Sequence, residues 1–186
     1  TDSSGLCPGS LRFRGSVRAE KLSITDFAPL LPKGNLSALP TLKFAATAEG
    51  TDHLATATLA AYSTHGAELS LQASATITDI LRQPKADILL NRLNMTESLT
   101  LAIASLPSMP AVLGRTGSIE ARGRFGWQGT RHFTAHTDIS TSKAGKVALN
   151  GEYNAGSIKA TIETAALDIA QLTGDQRFGN IKCRLA

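Results

Sequence analysis

The sequence predicts an all-β protein, an antiparallel meander whose strands each carry one apolar face, with only very short helical turns. Three observations carry this expectation. Apolar and polar residues alternate with period two along most of the chain. Short clusters of Gly, Asn, Asp and Ser separate the alternating runs. No window of ten or more residues sustains a helical period.

The first run sets Leu11, Phe13 and Val17 against Arg12, Arg14 and Arg18. The second sets Leu42, Phe44, Ala46 and Ala48 against Lys43, Ala45, Thr47 and Glu49. In "ELSLQASATIT" the apolar parity is Leu69, Leu71, Ala73, Ala75 and Ile77, with Ser70, Gln72, Ser74 and Thr76 between. "SLTLAIA" offers Leu99, Leu101 and Ile103 as a further strand face. Later runs give Ile119, Ala121, Phe125 and Trp127, then Val147, Leu149 and Tyr153, then Ile158, Ala160 and Ile162. Each has one apolar and one polar face. The breaks "EGTDH", "STHG", "SKAGK" and "NAGS" are short, which implies hairpins between consecutive strands. We count roughly eleven strands on this basis. Three short segments, "DFAPLLP", "PAVLG" and "DIAQLTG", each fit one helical turn, with Asp26 and Asp168 as N-caps for two of them.

One apolar face per strand, with no amphipathic helix to cover it, is a packing problem. The faces must cover one another in a sandwich, close into a barrel, or line a trough. Small Ala and Gly residues on the apolar parity leave space between the walls and favour a hollow interior. An Ala-rich dry core is the competing arrangement.

Composition narrows the functional classes. The apolar fraction of 42 % permits a core, and aromatics are only 5 %. The net charge of +4 comes from scattered Lys and Arg, with no basic run and no aromatic platform, so a nucleic-acid partner is not expected. No stretch approaches the roughly 20 apolar residues of a membrane-spanning helix. The chain opens at "TDSSGLCPGS" without a Met, and we expect a single all-β segment, 1–186, cut from a larger repeat-like protein, with sub-units 1–51, 52–130 and 131–186. Cys7 and Cys183 sit at opposite ends. A bridge between them would close a long loop and stabilise by about 4–5 kcal/mol in the chain-entropy model. Two unpaired thiols are the simpler expectation, since Cys183 lies on an apolar parity where a thiol acts as a small hydrophobe.

Catalytic patterns do not emerge, and neither an enzyme activity nor a cofactor or metal is expected. In "RHFTAH", His132 and His136 lie four apart on an alternating strand. They share a face about 13 Å apart, too far for one metal. "GRFGWQG" opens no helix and is no dinucleotide loop. Trp127 suits a core or rim position.

Three stretches share one punctuation: Asp26 to Thr51, Ser105 to Thr130, and the closing "LDIAQLTGDQRFGNIKCRLA". Each carries a short apolar turn and then, past a Gly, a new alternating strand. Leu30, Leu31 and Leu39 occupy the first, Val112 and Leu113 the second, Ile169 and Leu172 the third. Recurrence about 60–80 residues apart suggests an array of sheet units whose apolar turns mark corners.

The order "LSITDFAPLLPKGNLSALPTLKFAATAEGT", echoed in "LTLAIASLPSMPAVLGRTGSIEARGRFGWQGT" and "AALDIAQLTGDQRFGNIKCRLA", resembles the TamB/AsmA-like family of large bacterial envelope proteins, particularly its Bacteroidetes-type members. The resemblance covers most of the chain as a texture of pattern and spacing. It implies a long curved sheet, a trough with an apolar inner face, within an inner-membrane-anchored protein that reaches across the periplasm toward the outer membrane. It implies passage of phospholipids between membranes, support of outer-membrane protein assembly, or both, with acyl chains and an outer-membrane barrel assembly protein as partners. The inner surface would then be Leu42, Phe44, Leu69, Leu71, Leu99, Leu101, Ile103, Ile119, Phe125, Val147, Leu149, Ile158 and Ile162. An apolar trough offsets the cost of about 0.8 kcal/mol per CH₂ that an acyl chain meets in water. The competing function is a stand-alone secreted β-sandwich that binds protein or glycan. Exposed sheet edges would also invite pairing with a second copy.

Overall fold

The computed structural model describes residues 12–23, 39–65, 68–106, 109–129 and 131–185. The described residues form one sheet of ten strands. In chain order these are β1 (Arg12–Leu22), β2 (Leu42–Thr51), β3 (Leu54–Ser63), β4 (Leu69–Thr78), β5 (Lys85–Met95), β6 (Ile119–Gln128), β7 (His132–Thr141), β8 (Gly145–Asn154), β9 (Ser157–Asp168) and β10 (Asn180–Leu185). Every strand pairs antiparallel with its chain neighbours, so the expected meander is the fold. β1 and β10 are the two edges and do not meet, which leaves the sheet open. The ladder runs unbroken past Thr51 and Thr130.

Register decides which side chains share a face, because residues opposite each other in a ladder point the same way. The ladder slips by one residue between β1 and β2, β4 and β5, β5 and β6, β8 and β9, and β9 and β10. Such bulges bend and twist a sheet. Two hairpins use the residues their turns require. Ala155 and Gly156 both have positive φ between β8 and β9, and Gly145 (φ +99°) opens β8 where a Cβ would lie 2.0 Å from the Ala166 carbonyl oxygen.

The run "SLTLAIA" departs from its expected conformation. It is not a strand but the helix α1 (Glu97–Ala104). Thr96 caps it by accepting from the Leu99 N–H at 3.4 Å, and Glu97 stands in its first turn, where the helix dipole favours an acid. Leu99 and Ile103 are four apart, so they share a helical face as readily as a strand face. Leu99 is buried at 5 % exposure, whereas Leu101 is 49 % exposed. Thr100 is buried beside Leu99 and donates its hydroxyl to the Gly117 carbonyl at 2.8 Å, and Lys143 pairs with Glu97. The two other short segments within the described residues do turn helical. "PAVLG" enters a 3-10 helix at Ala111–Arg115, and "DIAQLTG" forms α2 (Ile169–Thr173). Asp168 caps α2, accepting from the Gln171 N–H at 2.9 Å. "DFAPLLP", Asp26, Leu30 and Leu31 lie outside the described residues.

The punctuated stretches now have a place. The β1–β2, β5–β6 and β9–β10 connections all leave the same end of the sheet, one every fourth strand. The second and third touch: Arg115 donates to the Leu172 carbonyl at 3.3 Å, and Gln171 donates to the Arg115 carbonyl at 3.1 Å. Among the described residues the two helical corners, at β5–β6 and β9–β10, stand four strands apart.

No second layer covers the sheet among the described residues. Fully buried apolar side chains there are Ala55, Ala61, Leu99, Ile119, Ala121 and Ala144, mostly small and mostly near the helical end. The chain exposes 12479 Å², against about 8,500 Å² for a compact protein of its 19.5 kDa mass. Because Leu99 is enclosed and Leu101 is not, Leu99→Ala should cost about 2–4 kcal/mol in urea unfolding. Leu101→Ala should stay within about 0.5 kcal/mol. Equal costs would contradict the helical assignment of this segment.

Candidate functional site

The ladder places almost the whole apolar parity on one face. Leu42 stands opposite Leu22 and Ser63, Phe44 opposite Ala19 and Ala61, and Leu69 and Leu71 opposite Met95 and Leu93. Ile119 continues from Met95, and Phe125 from Ile88. Val147 and Leu149 join through Ile139 and Thr137, and Ile158 and Ile162 follow across from Tyr153 and Leu149. Ten of the thirteen residues expected on the inner surface therefore share this face. Leu99, Leu101 and Ile103 do not, because α1 takes them out of the sheet.

The face has a profile across the strands. Its middle row reads Gly15, Ala48, Ala57, Ala75, Ile88, Phe125, Ala135, Gly151, Ala160. All but Ile88 and Phe125 are Gly or Ala. The row on one side carries Phe13, Ile77, Trp127, Phe133, Tyr153 and Ile158. The row on the other carries Val17, Leu59, Leu90, Leu149 and Ile162. Small residues between bulky ones mark a channel perpendicular to the strands over β1–β4 and again over β7–β9, interrupted at β5 and β6 by Ile88 and Phe125. Over β1–β5 it deepens into a depression of about 570 Å³, floored by Gly15, Ala48, Ala57 and Ala75 and walled by Val17, Leu59 and Ile88. At β6 the Phe125 ring lies over Gly123, 3.2 Å from where a Cβ would stand. The face is open to solvent: Val17 is 64 % exposed, Ile158 77 % and Phe133 41 %. Trp127 sits at the rim away from the helical corners. Cys183 carries a free, half-buried thiol on the apolar face opposite Thr164, and Cys7 lies outside the described residues.

Several lining residues escape a strict period-two reading. Ile88 and Leu90 change parity to Leu93 and Met95 across the β5 bulge, which hides the strand. Phe133 and Ile139 alternate plainly in "HFTAHTDI" and extend the face through β7.

The opposite face is polar and cross-linked. Arg14 meets Glu49 at 3.5 Å, Lys43 meets Glu20 at 3.5 Å, and Arg184 meets Glu163 at 2.9 Å. Exposed pairs of this kind contribute little each. His132 and His136 both lie here, and His136 bonds Asn150 and stands 3.5 Å from Asp138. This face also holds a depression of about 960 Å³ over β5–β10. Directly behind the Ile88–Phe125 pair, Arg124 grips both oxygens of Asp87.

No family model matches the chain, no curated protein matches it, and no solved structure matches it.

The Arg124 guanidinium, through its hydrogen bonds, holds the Asp87 carboxyl below its ordinary pKa of 3.8. A lowered folded-state pKa contributes stability that is present above the ordinary value and lost as pH falls through the lowered one. In a carbon-detected NMR titration, Asp87 should therefore titrate below an ordinary Asp, and Arg124→Gln should return it upward. An unchanged titration in the variant would contradict the pairing.

Proposed function

We propose that this chain is a segment of an envelope protein whose open apolar sheet face carries phospholipid acyl chains between the inner and outer membranes, supports outer-membrane protein assembly, or does both. One observation carries the proposal: a channel of Gly and Ala, walled by aliphatic and aromatic side chains, that runs along the sheet and not along a strand. Its middle row crosses β1 to β9 without a polar side chain, and Thr137 is a polar residue of the wall beside it. Acyl chains fit that surface, since each CH₂ removed from water contributes about 0.8 kcal/mol. The contacts are non-directional, so a guest can slide from one strand to the next. The resemblance to TamB/AsmA-like proteins supports the same reading, with the periplasm of a Gram-negative cell as the proposed location.

The helical corners fit this role. They stand at one end of the sheet, four strands apart. Such an array lengthens by adding modules while its channel stays in line.

Native mass spectrometry of the chain purified from cells tests the proposal, with Leu149→Asp and Ala57→Asp placed in the wall and the floor of the channel. Phospholipid-sized adducts on the wild type, lost in both variants with the sheet intact by circular dichroism, are the expected result. A wild-type chain free of adducts would overturn it and favour a module that binds protein or glycan.

A further inference from the structure

The large depression on the polar face, remote from the apolar channel, has a charge pattern that the channel does not use. It is lined by five cations, Arg92, Arg122, Lys146, Lys182 and Arg184, against three carboxylates, Glu120, Asp138 and Glu163. Glu163 pairs with Arg184 within the depression, so that these two charges offset each other, and Asp138 stands 3.5 Å from the His136 ring. Arg122 faces Asp138 across the ladder yet forms no ion pair among the described residues, and neither does Lys146 or Lys182.

The backbone explains why both lysines line this depression. Two bulges coincide on β9. Between β8 and β9 the ladder passes from Lys146 opposite Ala166 to Val147 opposite Thr164, skipping Ala165. Between β9 and β10 it passes from Ile181 opposite Leu167 to Cys183 opposite Thr164, so that Lys182 faces Ala165 and Ala166. Thr164 locks the distortion by donating its hydroxyl to the Lys146 carbonyl at 2.8 Å. Coincident bulges bend three strands together and re-aim their side chains. Lys146 and Lys182 flank a pair of alanines from two strands apart, about 10 Å, a gap that two flexible lysine stems close. Small residues below and two unneutralised ammonium groups above describe a seat for a compact oxyanion.

We propose that this depression binds a phosphate group, held between Lys146 and Lys182 over Ala165–Ala166 with Arg122 on the rim. Charge-assisted hydrogen bonds from the ammonium groups supply the attraction. The phosphate comes either from a lipid headgroup or from solution.

Titration of the chain with inorganic phosphate, followed by amide NMR, tests the site. The expected result is a saturable shift confined to residues around Ala148, Ala165 and Ala166. The affinity should fall by about tenfold or more in Lys146→Gln/Lys182→Gln, be retained in Lys146→Arg/Lys182→Arg, and be unchanged in Lys159→Gln, which lies on the same face outside the depression. Shifts spread over the whole polar face, or equal binding by the Gln pair and the wild type, would overturn the proposal. So would equal weakening by Lys159→Gln. Sedimentation with phosphatidylcholine vesicles, with and without phosphatidylglycerol, separates the sources. Lysine-dependent capture by the anionic vesicles supports a headgroup, and phosphate binding without capture supports a soluble phosphate.

Discussion

Everything in this protein depends on a ladder register that never lets the two faces mix. A slip of one residue without compensation would turn a strand's apolar set to solvent on the wrong side. The chain slips five times among its described strands, and at each slip the extra residue is absorbed locally. At β5 the bulge carries the chain from Ile88 and Leu90 to Leu93 and Met95 while all four stay on the apolar face. At β9 it lets Ile162 and Leu167 stand on one face although they are five apart. The bulges thus preserve one continuous apolar surface and bend the sheet that bears it.

A single layer with one apolar face would ordinarily recruit a partner layer. Here the described helices are short and gather at one end, where Leu99, Thr100, Ile119 and Ala144 are buried. They act as corners four strands apart, and the Arg115–Leu172 and Gln171–Arg115 bonds tie one corner to the next. The rest of the sheet is stabilised by its ladders and by contacts within the apolar face. On the polar face the edge strands carry Arg12, Arg14 and Arg18 on β1 and Lys182 and Arg184 on β10, and Arg14, Arg18 and Arg184 are paired with Glu49, Glu20 and Glu163.

Much of this was legible in the sequence because a two-residue period is a direct imprint of a one-sided sheet. The parities of Leu42–Ala48, Leu69–Ile77, Ile119–Trp127 and Ile158–Ile162 all point where the ladder puts them. Leu99, Leu101 and Ile103 misled, since three apolar residues at alternate positions satisfy a strand while Leu99 and Ile103 also satisfy a helix. The Thr96 cap and the acid at Glu97 were the local signals that decided between them. β5 was obscured by its bulge, because a local change of period looks like the loss of one. The channel profile was beyond reach: that Gly15, Ala48, Ala57 and Ala75 fall in one row is a property of register between strands, which no single strand encodes. The lysine pair is hidden for the same reason, since Lys146 and Lys182 come to line one depression from either side of the strand that carries both register shifts.

The account stands on the sheet being open in solution, with its apolar face uncovered. The distance between its edges measures this directly. With Cys7 and Cys183 replaced by Ser, nitroxide labels at residues 14 and 184, on β1 and β10, can be measured by pulsed electron paramagnetic resonance. Nine inter-strand steps of about 4.8 Å, shortened by twist and curvature, predict a separation above about 30 Å. A dominant distance below about 20 Å would mean that the edges meet, that the sheet closes on itself, and that its apolar face is a core and not a channel.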